Sequence, residues 1–354
     1  MFAIPLEIHM RRKYRTSAIV LVVLGALLLT AAAITRFVVV PAVTKLPKNL
    51  DVTSDFTGTA SMLNAKALTT NDLTHMYLRD LPITVVRHTY VSSADASTAV
   101  IHDDSVLKTP DGTQIPTRRT FALDRTTLQD APPPPGVNAD PHTGLTVSFP
   151  LHPKPDDTAK FWDSTTQRVM SVHYTGASTL AGRAVYNYIA SAQGPLKETS
   201  TLAALPSELP KPVLAAMLPT LPDTVRSTVT AGLDTLPDAI GLSYTSTTSY
   251  EVAADRTLGV PLRLTQHYQF VSDIEIQGKP LALMPVLDVT ITSTDKTIKN
   301  AAHNATRTAR ILTVVSLVIP ITALILGLSL ATIGVLRRQK PNQDRPRPTR
   351  RTSA

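Results

Sequence analysis

The chain has 354 residues, 43% of them apolar and 18% charged, which is too apolar for disorder and long enough for a domain with a core of its own. It contains no cysteine, which excludes disulfides, thiol catalysis, cysteine-ligated zinc and iron–sulfur clusters. The formal charge of +8 sits in the two ends, since residues 1–15 carry a net +3 and residues 337–354 a net +6, leaving −1 for everything between; the basic balance therefore gives no support to a nucleic-acid partner.

Residues 1–15, with Arg11, Arg12, Lys13 and Arg15, form a basic tail of the kind that stays on the cytoplasmic side of a membrane. The following charge-free run over residues 17–35 spans about 28 Å as a helix, and "FVVVPAV" extends it while Arg36 reaches for the headgroups. A first transmembrane helix is predicted over 16–40. The small residues of "TAAAIT" would also suit a signal peptidase, but the apolar run exceeds the roughly 7–15 residues of a signal core and favours a retained anchor.

Residues 41–310 are predicted to form an extracytoplasmic, antiparallel β-rich domain. In "VPLRLTQHYQF", Val260, Leu262, Leu264, Tyr268 and Phe270 share one face, with Arg263, Thr265, His267 and Gln269 on the other. In "VLDVTITS", Leu287, Val289 and Ile291 alternate with Asp288, Thr290 and Thr292. Such a period of two predicts sheets with one face in water. "RVMSVHY" and "RAVYNYIAS" read as a hairpin joined through "TGASTLAG", with Tyr186 and Tyr188 on one face and Val185 and Ile189 on the other. Asp163, Ser164 and Thr165 form a turn before it, and Trp162 anchors a core or a sheet edge. The echo of "FALDRTT" and "VAADRTL" is read as one Asp-initiated turn used twice, with a charged site at Asp124–Arg125 and Asp255–Arg256 as the rival.

Two stretches depart from this texture. "DAPPPPGVNADPHTG" is expected to be a polyproline loop with little drive to pack. Residues 196–240 are apolar and cut by proline every few residues, which predicts short helices; they form either a cap over one end of the sheet or an apolar lid at a ligand entrance.

No phosphate loop, nucleophile elbow or zinc-protease pair is present. "STDK" at 293–296 matches Ser-x-x-Lys without any supporting motif, and "HDD" at 102–104 and Asp156–Asp157 read as solvated turns. No catalytic, cofactor-binding or metal-ligating residue is assigned, and the chain is not expected to be an enzyme. A second transmembrane helix is predicted over 311–336, about 39 Å long, kinked at Pro320. Ala323, Gly327 and Ala331 form a small-residue stripe on it, with Gly25 as the partner or a second copy of the chain as the alternative. Residues 337–354 form a basic cytoplasmic tail expected to be disordered and suited to anionic lipid.

The stretches "LPKNLDVTSDFTGTA", "FALDRTT", "FPLHPKPDDTAKFWDSTTQRVMSVHYTGASTLAG" with the "RAVYNY" that directly follows it, and "YEVAADRTLGVPLRLTQHYQF", together with a final span and a basic tail, resemble an actinobacterial family of two-transmembrane proteins of unknown function that carries the label PorA-family porin. The resemblance implies a cell-envelope protein and transfers no catalytic residue. Strands with a single apolar face and long loops differ from the many lipid-facing strands of an outer-membrane barrel. The layout is also similar to that of the class B scavenger receptors, which implies a lipid path through the ectodomain. The expected role is to bind or shuttle a hydrophobic envelope molecule through the ectodomain; the alternative is a scaffold organising envelope partners without a pocket. The expected partners are the lipid bilayer, a lipid or other hydrophobic ligand, and envelope proteins or further copies of the chain.

Overall fold

The computed structural model describes residues 5–64, 67 and 75–339 and divides into two compact units, Lys45–Ala309 and the two chain ends with Met1–Thr44 and Arg310–Ala354.

In the unit of the chain ends, α1 (Pro5–Ile34) runs through a π turn (Thr35–Val39) into α2 (Val40–Val43). Its partner consists of the end of α6 (Asp295–Thr313) from Arg310 on, a second π turn (Val314–Val318) and α7 (Ile319–Gln339). Each π turn ends two residues before a proline, Pro41 or Pro320. Proline clashes with the carbonyl four residues back, and widening the helix there absorbs the clash, so the disturbance expected at Pro320 takes this form. The stretches Ser17–Val43 and Asp295–Arg338 are long and apolar enough to cross a membrane. Their large side chains point outward: Leu27, Phe37, Leu317 and Ile325 are all more than half exposed. The inner seam is made of small residues, for Gly25 faces Gly327 and Ala331, and Gly334 faces Ala18 and Val22. The small-residue stripe is thus occupied by the chain's own first helix. The structure begins the first helix at Pro5, inside the stretch read as a tail, and begins the second at Asp295, sixteen residues before the expected span. Of the basic tail, Arg337 to Gln339 are helical and the rest lies outside the described residues.

The other unit is one 11-stranded antiparallel sheet. It contains β1 (Asp51–Leu63), β2 (Tyr77–Ala94), β3 (Thr98–Lys108), β4 (Gln114–Thr117), β5 (Thr120–Asp124), β6 (Lys160–Asp163), β7 (Arg168–Leu180), β8 (Arg183–Pro195), β11 (Ser243–Asp255), β12 (Pro261–Ile276) and β13 (Lys279–Ser293). Two short strands, β9 (Glu208–Pro210) and β10 (Ala239–Gly241), pair separately. The order is β4-β3-β2-β1-β13-β12-β11-β8-β7-β6, with β5 also on β3. The first and last strands therefore lie side by side in the middle, Phe56 opposite Ser293. Asp55 and Thr297 tie the two ends together, the Asp55 amide donating to the Thr297 hydroxyl and the hydroxyl to the Asp55 carbonyl. Among the described residues no pairing joins β4 or β5 to β6, so the sheet is open.

The period-two reading holds along β12 and β13. Leu262, Leu264, Phe270, Val289 and Ile291 are buried, while Asp288 on the outer face accepts hydrogen bonds from His267 and Gln269. Val260 lies before the strand and is exposed. The hairpin of β7 and β8 is present, but "TGASTL" belongs to the first strand. Only Ala181 and Gly182, both at positive φ, make the turn, and Gly176 sits at a bulge. Tyr188 is buried against Phe149, whereas Val185 and Ile189 part company: Val185 is fully buried and Ile189 is exposed.

The two Asp-Arg-Thr segments are the same turn in detail. The Asp124 amide donates to Gln129, Leu128 to Asp124 and Arg125 to Ser97; the Asp255 amide donates to Val260, Gly259 to Asp255 and Arg256 to Ala184. Each aspartate side chain caps the amides two and three residues on. The copies end β5 and β11, which flank the hairpins β2–β3 and β7–β8 in the same way, so the echo marks a repeated strand pattern. The aspartates do not pair with the arginines next to them, which removes the charged-site reading.

The stretch over 130–144 packs more than its composition suggests. Ala131 donates to Ala122, Asp140 to Thr120, and the Asp140 carboxylate accepts from the Thr120 amide, so the segment covers the free edge of β5. Residues 196–240 form α3 (Thr199–Ala204), α4 (Lys211–Met217) and α5 (Asp223–Gly232) with 3-10 turns between. Pro212 lies in the first turn of α4 and Pro222 precedes α5, the positions where proline costs no helical hydrogen bond. Leu214, Leu221, Val229, Leu236 and Ile240 bury themselves on Ile274, Ile276 and Leu283, so the segment is a cap with a core of its own.

Candidate functional site: an apolar cavity with a buried ionic cluster

Strands that alternate in phase send one set of side chains to one face. Val85 and Arg87, Met170 and Val172, Tyr250 and Val252, and Leu264, Gln266, Tyr268 and Phe270 all line a single cavity of about 950 Å³. That is near the top of the roughly 300–1,000 Å³ range of small-molecule sites. The helical segment closes it with Leu205, Leu209, Val213 and Met217, and the loop after β5 contributes Thr146 to Phe149. Among the exposed lining residues, Gln114, Ile115 and Pro116 on β4 and Ala204, Pro206 and Glu208 in the helical segment mark the mouth. Met217 thus faces the cavity, as a lid would require. Leu214 does not: it is fully buried in the cap's core.

Within these apolar walls stand two ion pairs. Arg87 makes a two-pronged bond to Asp103, Nε to Oδ1 at 2.5 Å and Nη2 to Oδ2 at 2.6 Å, and the Thr89 hydroxyl adds a third bond to the carboxylate. Arg119 sends both Nε and Nη2 to one oxygen of Glu198, at 2.9 and 2.7 Å, while the Thr201 hydroxyl donates to the other. Both arginine side chains keep 23% of their surface accessible, and that surface lines the cavity. Burial pushes the Asp103 carboxyl up, but the charge and hydrogen bonds of Arg87 outweigh it and hold the group below the usual carboxylate range. Burial likewise opposes the charge on Arg87 and Arg119, and their carboxylate partners raise both above the ordinary arginine value. Burial raises the Tyr250 and Tyr268 phenols, at Tyr250 with help from the charge of Asp163. Gln266 donates to the Tyr250 oxygen at 2.9 Å. The Thr146 hydroxyl is buried in the wall without a partner. The arrangement is suited to hold an apolar body against a compact polar cluster.

The other residues weighed from sequence take structural places. "HDD" is the middle of β3, not a turn: His102 bridges Ser92 and Thr120, and Asp103 enters the cavity. Ser293 of "STDK" is buried on Leu264, and the Lys296 amine lies 3.7 Å from Asp55. Asp156 and Asp157 do lie in a loop, capping Thr158 and receiving the Tyr174 amide and His173. Asp163 turns between β6 and β7 as expected but is fully buried among the hydroxyls of Thr165 and Thr166. Trp162 packs on the Ile101, Phe121 and Leu123 cluster and also lines the cavity. Arg87, Asp103, Arg119 and Glu198 escaped the sequence reading as a group. The signal available was a charge in phase with an apolar set, as in Ile83, Val85 and Arg87 or in Ile101, Asp103 and Leu107.

No relative was found among curated proteins. Among solved structures, the chain has 10% identity to an acyl-ACP thioesterase from Bacteroides thetaiotaomicron, over 70% of this chain and 77% of that one, with a TM-score of 0.12. It has 13% identity to an acyl-CoA thioesterase II from Mycobacterium marinum, over 70% and 81%, with a TM-score of 0.12. Overlap that slight carries no argument about fold or activity. A family model, by contrast, matches residues 17–336, from the first apolar helix to the second: the chain belongs to the family described as Porin PorA and is a membrane or porin-like envelope protein.

Proposed function

We propose that this protein is anchored in the plasma membrane by both helical ends, with its β domain outside the cytoplasm, and that the domain binds or shuttles a hydrophobic envelope molecule. The cavity carries the reading: about 950 Å³, walled mainly by apolar side chains, with a mouth between β4 and the helical segment. The basic flanks at residues 11–15 and 337–338 support a cytoplasmic position for both termini. The close seam at Gly25 and Gly327 supports a first helix that is kept as an anchor. The outer face of the sheet presents only scattered large apolar residues, such as Val86 and Val169, which suits a domain in water better than a lipid-facing barrel. The proposal assigns no catalytic step.

The test is mass spectrometry of organic extracts from the full chain purified in mild detergent, beside an unrelated two-span protein. A lipid present at near one per chain and absent from the control is the expected result. Only the background lipids of the control would overturn the binding reading and favour a scaffold.

A further inference from the structure

We infer that the cavity selects an amphiphile with a single oxyanion head, carboxylate or phosphate, which exchanges with Glu198 for Arg119 and so loosens the mouth. The inference rests on the binding reading above and adds the chemistry of the ligand.

The two ion pairs differ in how firmly they are closed. Arg87 and Asp103 meet fork to fork, both carboxylate oxygens are engaged, Thr89 adds a bond, and Asp103 is only 6% exposed. Arg119 instead sends two donors to one oxygen of Glu198, so its fork is not matched by a two-oxygen acceptor. An oxyanion with two free oxygens fits that fork better. Glu198 enters from the helical segment, 79 residues away in sequence, and Thr201 holds its second oxygen.

Charge balance selects the head. The two ion pairs are neutral as they stand, so an anion added beside them would leave a buried net negative charge, and a cation would face Arg87 and Arg119. An anion that takes the place of Glu198 with a single charge, a carboxylate or a monoanionic phosphate, leaves the buried charge unchanged and returns a carboxylate to water. Elsewhere in the cavity lining, the buried Thr146 hydroxyl has no partner and is a further donor to a polar ligand atom.

Exchange has a mechanical result. No residue of α3 is buried, and its first turn has no side-chain cap. It is held to the sheet by the Arg119 pair and by the Lys197 and Glu198 amides on the Thr165 carbonyl, and its flanks are held by Leu196 and Leu205 against Tyr244 and Phe270 and by the Tyr244 hydroxyl on the Pro206 carbonyl. Ala204, Leu205 and Pro206, which follow directly, stand at the mouth. Releasing Glu198 removes an ionic anchor from α3 and loosens the segment beside the mouth, while Leu196 and the Tyr244–Pro206 bond keep it attached.

The experiment measures binding of oleate, oleyl phosphate and oleyl alcohol to the full chain in detergent, for the native sequence, Arg119→Met and Glu198→Gln. At least one of the two anions is expected to bind about tenfold tighter than the alcohol, and which of the two does so identifies the head. Arg119→Met is expected to remove that preference, and Glu198→Gln to strengthen anion binding about tenfold relative to the alcohol by weakening the competitor. Equal binding of all three ligands by the native chain would overturn the oxyanion assignment and leave hydrophobic binding standing. An anion preference that Glu198→Gln does not change would overturn the exchange. Binding of none of the three would overturn both the assignment and the reading on which it rests.

Discussion

Gly25 of α1 lies so close to Gly327 of α7 that a Cβ on Gly25 would stand 2.7 Å from the Gly327 carbonyl oxygen and 3.1 Å from the Ala331 Cβ. Contact this close needs a missing side chain, and in lipid such packing stands in for the hydrophobic drive that water would supply. The chain has no native cysteine, and Gly25→Cys with Ala331→Cys places Cβ atoms 3.1 Å apart, so the seam must open by roughly 0.5 Å to reach disulfide separation. Oxidation in membranes should yield a crosslink that leaves the protein at monomer mobility on a denaturing gel. A dimer band in its place would show that the stripe joins two copies.

Gly58 is the tightest glycine of the sheet, since a Cβ there would fall 1.8 Å from the Thr290 carbonyl oxygen across the β1–β13 pairing. Gly58→Ala must push the two central strands apart and should cost about 3 kcal/mol or more. The single tryptophan, Trp162, reports the transition, and a urea midpoint equal to that of the native chain would refute the expectation.

The Arg87–Asp103 pair makes stability depend on acid. The folded-state pKa of Asp103 lies below its ordinary 3.8, so the pair contributes stability above that value and loses it as pH falls through the folded value. Asp103→Asn leaves Arg87 buried without its counter-charge and should cost about 3–5 kcal/mol at neutral pH. It should also flatten the rise of stability with pH below about 4. Urea titrations at several pH values, followed by tryptophan emission, check both.

The twin turns should differ in cost. Asp124 is exposed enough to act as a local cap alone, and Asp124→Ala should cost about 1 kcal/mol. Asp255 is fully buried and also receives two bonds from Arg183, so Asp255→Ala should cost about 3 kcal/mol or more. Equal effects in urea would mean that the second copy is no more than a cap.

Leu214 and Met217 are neighbours on α4 with different duties. Leu214→Gln should lower the stability by about 2–5 kcal/mol through the cap's core. Met217→Gln should reduce retention of a bound lipid with a smaller effect on stability. Paired unfolding and lipid-extraction measurements on the two variants separate the roles.

Much of the architecture was legible in the chain. The alternation in β12 and β13, the boundaries of the helical segment and the pairing of Gly25 with the second-span stripe all come from local periodicity. The cavity's charges were not, because Arg87 and Asp103 lie 16 residues apart and Arg119 and Glu198 lie 79 apart. Each alone resembles a surface charge, and only the fold shows that they share an interior. "HDD" misled for the same reason: three polar residues in a row suggest a turn, whereas in β3 they alternate between an outer face and a cavity.

Because β1 lies between β2 and β13, the middle of the sheet stays unfinished until the last strand of the domain has been made. In a chain synthesised from its first residue, β1 to β5 wait with one raw edge while nearly the whole domain follows, and the closing step joins positions 242 residues apart, as in the Asp55–Thr297 bond. Such an edge invites pairing with any passing strand. This order of synthesis makes a truncated chain lacking β13 the form most prone to aggregate, and it makes the arrival of the second helix and the completion of the sheet nearly simultaneous events.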